Sequence, residues 1–567
     1  MTLSMTFGGV AAALILTAPG AAALAQPALA VVLKPGRMDE AKGQGSLAVE
    51  LRFSELPASV GAPLLSLPLV IANTATVADT LTGLTAADDA GPIPLVVKDD
   101  PATGLVWSRH WLAGRATRGP VVVRYLAPVD NTPPTRGSGP PYALRTEGGG
   151  VSGVGNTFVL LPEEKIARKI TLRWDLADLP KGSTATSSFG EGDVALPDGP
   201  ASQLASTVFM AGPMKREPGV VSETGFSSAW MGTPPFDPAP LMAWTNRLHG
   251  WMSGFFQDKT VPPYRVFLRY NPINAGGGTA LTRSFLTTYG ADTKGESLKG
   301  TLSHEMVHTW TDSDAGQWYG EGVAVHYQGL LPFRAGLLSP QEFLDDLNET
   351  ARRYYANPLN DTPDAEIAPR FWEDTRIRVL PYDRGGLYFA VLDGRIRKAT
   401  GGKRSVDDLV LEMNHRFAAG RRADDAAWIA LVVRELGEDG RKLHEGMMAG
   451  ALMLPEPDDF GPCFTRTTAQ VRRFELGFEP KSLVGTTKTI RGLIAGSEAA
   501  KAGLKDGDVV TYAVAMDAVQ GDPDQTLTLK VTRDGKTFPL TYLPRGEATS
   551  VYQWARKPGT ESLKCVY

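Results

Sequence analysis

Apolar and polar positions alternate in short runs over roughly the first 200 residues. Val121-Val122-Val123-Arg124-Tyr125 and Ile170-Thr171-Leu172-Arg173-Trp174 are strand-like, and clusters of Gly, Pro and Asp separate such runs. Arg118 and Gly119 lead into Pro120, so the first of these strands begins no earlier than that proline. The spacing predicts a β-sandwich-like module over residues 26–200. Gly148 to Gly155 (GGGVSGVG) reads as a flexible loop, because no helical pattern follows to make it a nucleotide site. From about residue 235 the period changes. Leu241, Trp244, Leu248, Trp251 and Phe255 recur at helical spacing behind a proline-rich lead-in, which predicts an amphipathic helix. Tyr264 to Tyr270 reads as a strand, and a glycine-rich loop follows from Ala275 to Gly278. Helical patterns then dominate from Ser297 to Leu452, with Ser405-Val406-Asp407-Asp408 as a start signal. After Pro455 the chain is again β-rich. Leu527, Leu529 and Val531 alternate, Asp534-Gly535 offers a tight turn, and Phe538, Leu540 and Tyr542 alternate back. No repeat of solenoid period is present.

Length and charge narrow this picture. The 567 residues suggest about three or four domains. Apolar residues at 43% and charged residues at 21% are those of a globular protein, not a disordered or fibrous one. A net charge of −4 carries none of the concentrated basic character of a nucleic-acid binder. The run from Gly8 to Ala18 is apolar and uncharged but too short to span a membrane, and Ala23-Leu24-Ala25 has the small-x-small form of a signal-peptidase site. Residues 1–25 therefore read as a cleaved export signal, although the first basic residue is Lys34. The mature chain is expected to be periplasmic or secreted, with no membrane span. In an oxidising compartment the two cysteines, Cys463 and Cys565, are expected to pair and to clasp the last domain at both ends, worth roughly 2–4 kcal/mol.

The sharpest chemical signal is His304-Glu305-Met306-Val307-His308. On a helix, residues four apart share a face, so both imidazoles can bind one zinc ion, with Glu305 placed to take a proton from a water there. Catalytic zinc usually takes a third protein ligand. Downstream, Trp318-Tyr319-Gly320-Glu321-Gly322-Val323-Ala324-Val325-His326-Tyr327 looks helical, and Asp312, Ser313, Asp314 and Gly316 form a polar turn before it. Glu321 near its start can swing back to the metal. His326 is the rival, about a turn and a half further along.

HEMVHTW followed by WYGEGVAVHY resembles the HExxH-plus-Glu zinc metallopeptidases, the gluzincins, and most of all their glycyl aminopeptidase family. Leu380-Pro381-Tyr382-Asp383-Arg384-Gly385-Gly386 and the run LDGRIRKATGGKRSVDD from Leu392 to Asp408 resemble two further elements of that family. The resemblance implies His304, His308 and Glu321 as ligands of one Zn2+ per chain, Glu305 as general base, and Tyr382 as the hydroxyl that stabilises the oxyanion. It also implies a thermolysin-like, mostly helical catalytic domain over 201–460 and peptide or protein substrates. Two departures stand out. The interval from His308 to Glu321 is shorter than the family's. The loop from Gly276 to Ser284, with Gly277, Gly278 and Thr279 as substrate-binding candidates, resembles the family's glycine-glycine-x-Glu element but carries no glutamate to anchor a substrate's α-amino group. Endopeptidase activity, or an altered end preference, is the alternative this raises. A non-catalytic peptide-binding adaptor is the alternative of another class.

In the tail, Arg473-Phe474-Glu475-Leu476-Gly477-Phe478 resembles the carboxylate-binding loop of PDZ domains, and Gly492 to Val510 resembles their central segment. This implies a PDZ-like domain over 461–567 that captures a peptide carboxyl terminus. Only Gln520 to Gln525 separates the Tyr512–Val519 stretch from the next strand, which leaves no room for a groove-forming helix. The expected architecture is a multi-domain α+β chain: sandwich-like module, zinc-peptidase domain and PDZ-like β domain.

Overall fold

The computed structural model describes residues 26–567 except 73, 103–105, 133–139, 220–224, 260–262, 273–274, 486, 561–562, 564 and 566–567. The export signal expected at 1–25 lies outside the described residues.

The amino-terminal part is built from strands whose inward positions are apolar. In Val121–Asp130 the odd-numbered residues Val121, Val123, Tyr125, Ala127 and Val129 are buried, matching a strand with one face on a core. This strand lies antiparallel to Gln44–Phe53, which pairs with Ala28–Pro35, which runs parallel to Ala167–Trp174. A second sheet joins Pro63–Ile71, Val106–Ala113 and Leu95–Asp99. A third contains Gly150–Val154, Val208–Gly212 and Thr184–Ser187, so its central strand lies beyond residue 200.

The glycine-rich stretch from Gly148 to Gly155 is not the flexible loop expected. Gly148 and Gly149 form a positive-φ turn, and Gly150–Val154 is a buried strand. Its glycines answer to crowding: a Cβ on Gly150 would lie 2.4 Å from the Ala211 carbonyl oxygen, and one on Gly155 1.9 Å from that of Leu204.

This third sheet covers one face of a four-stranded sheet ordered Phe226–Trp230, Tyr264–Tyr270, Ser284–Tyr289, Gly278–Leu281. Val154, Val208 and Met210 meet Ala229, Phe267 and Leu286 in a small core between the two. On the other face Trp230, Val266, Leu268 and Phe285 join the large helical core. Cover on both faces buries nearly every position of the first three strands, including the polar Ser227, Arg265 and Thr287. The first three run parallel, and the last turns back antiparallel as an edge strand.

Several helices begin where the sequence supplies caps. Helix α1 (Pro238–Phe255) starts at Asp237, whose carboxylate accepts from the Ala239 amide at 3.1 Å. Helices α2 (Lys299–Val307) and α3 (Gln317–Arg334) follow the sheet, and α4 (Pro340–Tyr355) opens on a Ser339/Glu342 capping box. The helix Leu380–Thr400 ends at left-handed Gly401, and the Ser405/Asp408 box starts Val406–Ala418.

The last part pairs Phe464–Phe474 with Arg545–Arg556 in a long ribbon beside a four-stranded sheet. Asp534 and Gly535, with φ of 49° and 74°, make the hairpin turn between Leu527–Arg533 and Lys536–Tyr542. The ribbon docks on α4 through Asn348, which donates to the Trp554 carbonyl at 2.8 Å and accepts from its amide at 2.7 Å. Cys463 and Cys565 are joined by a disulfide with a Cα separation of 5.6 Å. One expectation is corrected here. The Tyr512–Val519 region does make a helix, Met516–Gly521, because it begins inside that stretch rather than after it. It packs against α4 and the short helix Thr375–Arg378. Asp517 pairs with Arg378 (Nε to Oδ2 3.0 Å), and Arg352 donates to the Gly521 carbonyl at 2.6 Å.

Candidate metal centre and catalytic groups

Helix α2 places His304 and His308 one turn apart, with ring centroids 5.1 Å apart. The chain then turns through Gly316, whose φ of 97° suits glycine, into α3. Five residues into α3, Glu321 faces back. Its Oε2 lies 3.2 Å from His304 Nε2 and 3.5 Å from His308 Nε2. One donor atom from each of the three residues lies within 4.8 Å of the others, the one such group among the described residues. Two imidazole nitrogens and a carboxylate oxygen converging in this way could hold a metal ion, and they are donor types that catalytic zinc takes. His326 is not part of it. It is buried with its Nε2 unpartnered, and burial lowers its pKa to about 4 despite Asp393 and Asp407 nearby.

The electrostatics suit this arrangement. Burial pushes the Glu321 carboxyl up, but the hydrogen bonds and charges of His304 and His308 outweigh it and bring the pKa to about 2. Burial also raises Glu305, and the neighbouring imidazoles only partly offset it. A carboxylate with a raised pKa is a better proton acceptor than an exposed one.

Sequence reasoning missed the support behind His304. Its Nδ1 lies 3.0 Å from Gln328 Oε1, and since that oxygen only accepts, the proton sits on Nδ1 and Nε2 keeps its lone pair for a metal. Gln328 in turn donates to Asp346 Oδ1 at 2.7 Å. Burial raises Asp346 to about 7, against the pull of the Gln328 hydrogen bond. Gln328 was findable, since it lies two helical turns after Glu321 on the same face; Asp346, from α4, left no local trace. Replacing Gln328 by Ala is expected to weaken metal affinity about 10–100-fold, read by competition with a chelator. An unchanged affinity would show that the relay does not orient His304.

Tyr382 arrives on the helix Leu380–Thr400, stacked on His304 with centroids 5.8 Å apart and planes 19° apart. Burial, and then the Glu321 and Glu305 carboxylates, raise its pKa well above the usual value, so it stays a proton donor. Its position depends on a glycine crossing. A Cβ on Gly322 would lie 2.8 Å from the Gly385 backbone, and one on Gly385 2.7 Å from the Gly322 Cα. Larger residues at either position would push α3 and the Tyr382 helix apart, separating Glu321 from Tyr382. Next to Tyr382, buried Asp383 accepts from Arg353 Nε at 2.8 Å and tethers the helix to α4.

The segment with Gly277, Gly278 and Thr279 enters the edge strand of the four-stranded sheet. The Gly277 carbonyl accepts from the Thr288 amide at 3.0 Å, and a Cβ on Gly278 would overlap the Phe285 ring. Thr279 Oγ1 meets the Tyr142 hydroxyl of the amino-terminal part at 3.2 Å. No acidic side chain stands between Gly276 and Ser284.

Neither a protein-family model nor a curated protein matches the sequence. Among solved structures, an M1 zinc metallopeptidase from Deinococcus radiodurans matches at a TM-score of 0.45 and 15% identity, over 77% of this chain and 95% of that one. An aminopeptidase N family protein from Idiomarina loihiensis matches at a TM-score of 0.66 and 15% identity, over 93% of this chain and 98% of that one. At this identity the likeness is one of fold, and in fold the chain is similar to that aminopeptidase N family protein over nearly the whole length of both.

Proposed function

We propose that this chain is a zinc-dependent peptidase of the gluzincin type. The observation that carries the reading is the convergence of His304 Nε2, His308 Nε2 and Glu321 Oε2 beside the half-buried Glu305, whose pKa is raised. The two imidazoles and the Glu321 carboxylate would hold the zinc. When bound, zinc supplies Lewis-acid polarisation of the scissile carbonyl and lowers the pKa of water. Glu305 takes the proton of the attacking water and passes it to the leaving nitrogen. The Tyr382 hydroxyl donates to the oxygen that gains charge, a role worth about 3–4 kcal/mol in comparable sites. The edge strand at Gly278–Leu281 offers free backbone groups to which an extended peptide can add.

The edge strand favours a second reading of where the enzyme cuts. Removing single amino-terminal residues requires a counter-charge for the substrate ammonium, since an unpaired charge in a closed site costs several kcal/mol. Gly276 to Ser284 provides only Arg283, of the wrong sign. Cleavage therefore does not depend on a free amino terminus. Acetylating the amino terminus of a good substrate is expected to lower kcat/KM by less than about tenfold, or ~1.4 kcal/mol. A loss of several hundredfold would restore conventional aminopeptidase specificity, with Asp312 on the loop after His308 the first residue to replace.

The disulfide between Cys463 and Cys565 and the leader at 1–25 support an exported, oxidising location. Capture of a peptide carboxyl terminus by the last domain has less support. The segment after Phe478 forms a 3₁₀ turn at Pro480–Leu483 rather than a strand edge, and Pro480 has no amide hydrogen to offer. The test of the whole reading is metal analysis of the purified chain together with cleavage of a mixed peptide library. One zinc per chain with defined cuts is expected. Stoichiometric zinc without cleavage would favour the adaptor, and a chain that cuts without metal would overturn the mechanism.

A further inference from the structure

A cavity of about 20 Å³ lies where the last domain meets α4. Five arginines line it, Arg352, Arg353, Arg376, Arg472 and Arg545, together with Gln520, and none of the lining residues is acidic. Three of the arginines have carboxylate partners behind them: Arg353 with Asp383, Arg376 with Asp374 and Arg472 with Glu498. The other two do not. Arg352 donates to the Gly521 carbonyl at 2.6 Å. Arg545 donates to the carbonyls of Pro544 at 2.9 Å and Val519 at 2.7 Å, and to that of Asp522. Neither makes an ion pair within 4 Å among the described residues.

This is an unusual place for uncompensated charge. Arg545 is 3% exposed, with its guanidinium over the Phe474 ring at 5.4 Å. Carbonyl dipoles satisfy donors but do not cancel a full charge. Burial lowers the Arg545 pKa to about 10 even with Asp522 and Asp524 nearby, and the charges of Arg352 and Arg472 add to the lowering. Gln520 is 8% exposed, and its side-chain oxygen has no partner. Turned over, the same amide would present its N–H2 group instead.

We propose that this cavity is a binding site for one small monovalent anion of halide size, held by Arg352 and Arg545 with Gln520 donating, which joins the last domain to the catalytic helices. A volume of about 20 Å³ suits a single atom of that class. The anion supplies the direct ion-pair partner that Arg352 and Arg545 lack, and it does so at a junction whose α4 side also carries Arg353, the partner of Asp383 beside Tyr382. The site is independent of zinc and of peptide hydrolysis, so it stands or falls apart from the proposed activity.

Two measurements on the full chain test it. Crystals grown in chloride and soaked in bromide are expected to show one anomalous peak in the cavity, within hydrogen-bond distance of Arg352 and Arg545. In solution, chloride titrated against gluconate at constant ionic strength is expected to raise Tm saturably, by about 2 °C at tenfold excess over Kd. Arg545→Met removes a buried group and can fail to fold, so Arg352→Gln, at a half-buried position, is the variant that decides. It is expected to lose the saturable rise, read against its own Tm in gluconate, which the lost hydrogen bond to the Gly521 carbonyl lowers. A cavity holding only water, a Tm indifferent to which anion is present, or an unchanged chloride response in Arg352→Gln would overturn the proposal.

Discussion

Glu305→Gln is expected to retain zinc at the level of the parent and to lose turnover about 10²–10⁴-fold, the usual worth of a positioned general base. The substitution keeps the size and shape of the side chain, so the helix that carries His304 and His308 is undisturbed. It removes the one property the reaction needs, since an amide does not accept a proton at neutral pH. Burial, which raises the Glu305 pKa, makes the parent residue a stronger base and the contrast with glutamine larger. The measurement is kcat on a defined peptide with metal content determined on the same sample. Full hydrolysis by a metal-loaded Glu305→Gln chain would remove Glu305 from the mechanism.

Metal content itself is the second large effect. His304→Ala, His308→Ala and Glu321→Ala should each weaken zinc binding by more than about 100-fold, beyond the 10–100-fold expected for an outer partner such as Gln328. His326→Ala should leave zinc in place, because its ring is enclosed by aromatic and aliphatic neighbours, 5.0 Å from Tyr327 and 6.1 Å from Phe389 between centroids. The pair of variants at 321 and 326 is decisive, as both residues ride on α3 and both are partly or fully buried. Zinc retained in Glu321→Ala and lost in His326→Ala would reverse the assignment of the third ligand. Glu321→Ala also leaves His304 and His308 without the carboxylate they share, so circular dichroism should accompany the metal assay.

Local patterns in the chain determined a good deal. The strand Tyr264–Tyr270 and the helix around Leu241 to Phe255 follow from runs of residues that are neighbours in space as well as in sequence. The Asp534-Gly535 turn and the Ser405 cap follow from backbone chemistry confined to four or five residues. The two histidines share a face for the same local reason, a helical turn. What failed were readings in which a distant partner sets the outcome. Gly148 to Gly155 looked flexible because glycine lacks a side chain, yet the missing side chains are what let Ala211, Leu204 and Met231 approach. The helix Met516–Gly521 was not expected because its few residues carry a weak period, and docking on Arg352 and Arg378 stabilises it. Spacing favoured Glu321 over His326 as the third donor of the set. The crossing of α3 with the Tyr382 helix, at Gly322 and Gly385, sets the distance at which Glu321 faces His304, 3.2 Å between Oε2 and Nε2. The Gln328–Asp346 relay and the arginine-lined cavity join residues 18 to 193 positions apart. No periodicity encodes such pairs, since their energy exists only once the chain has folded.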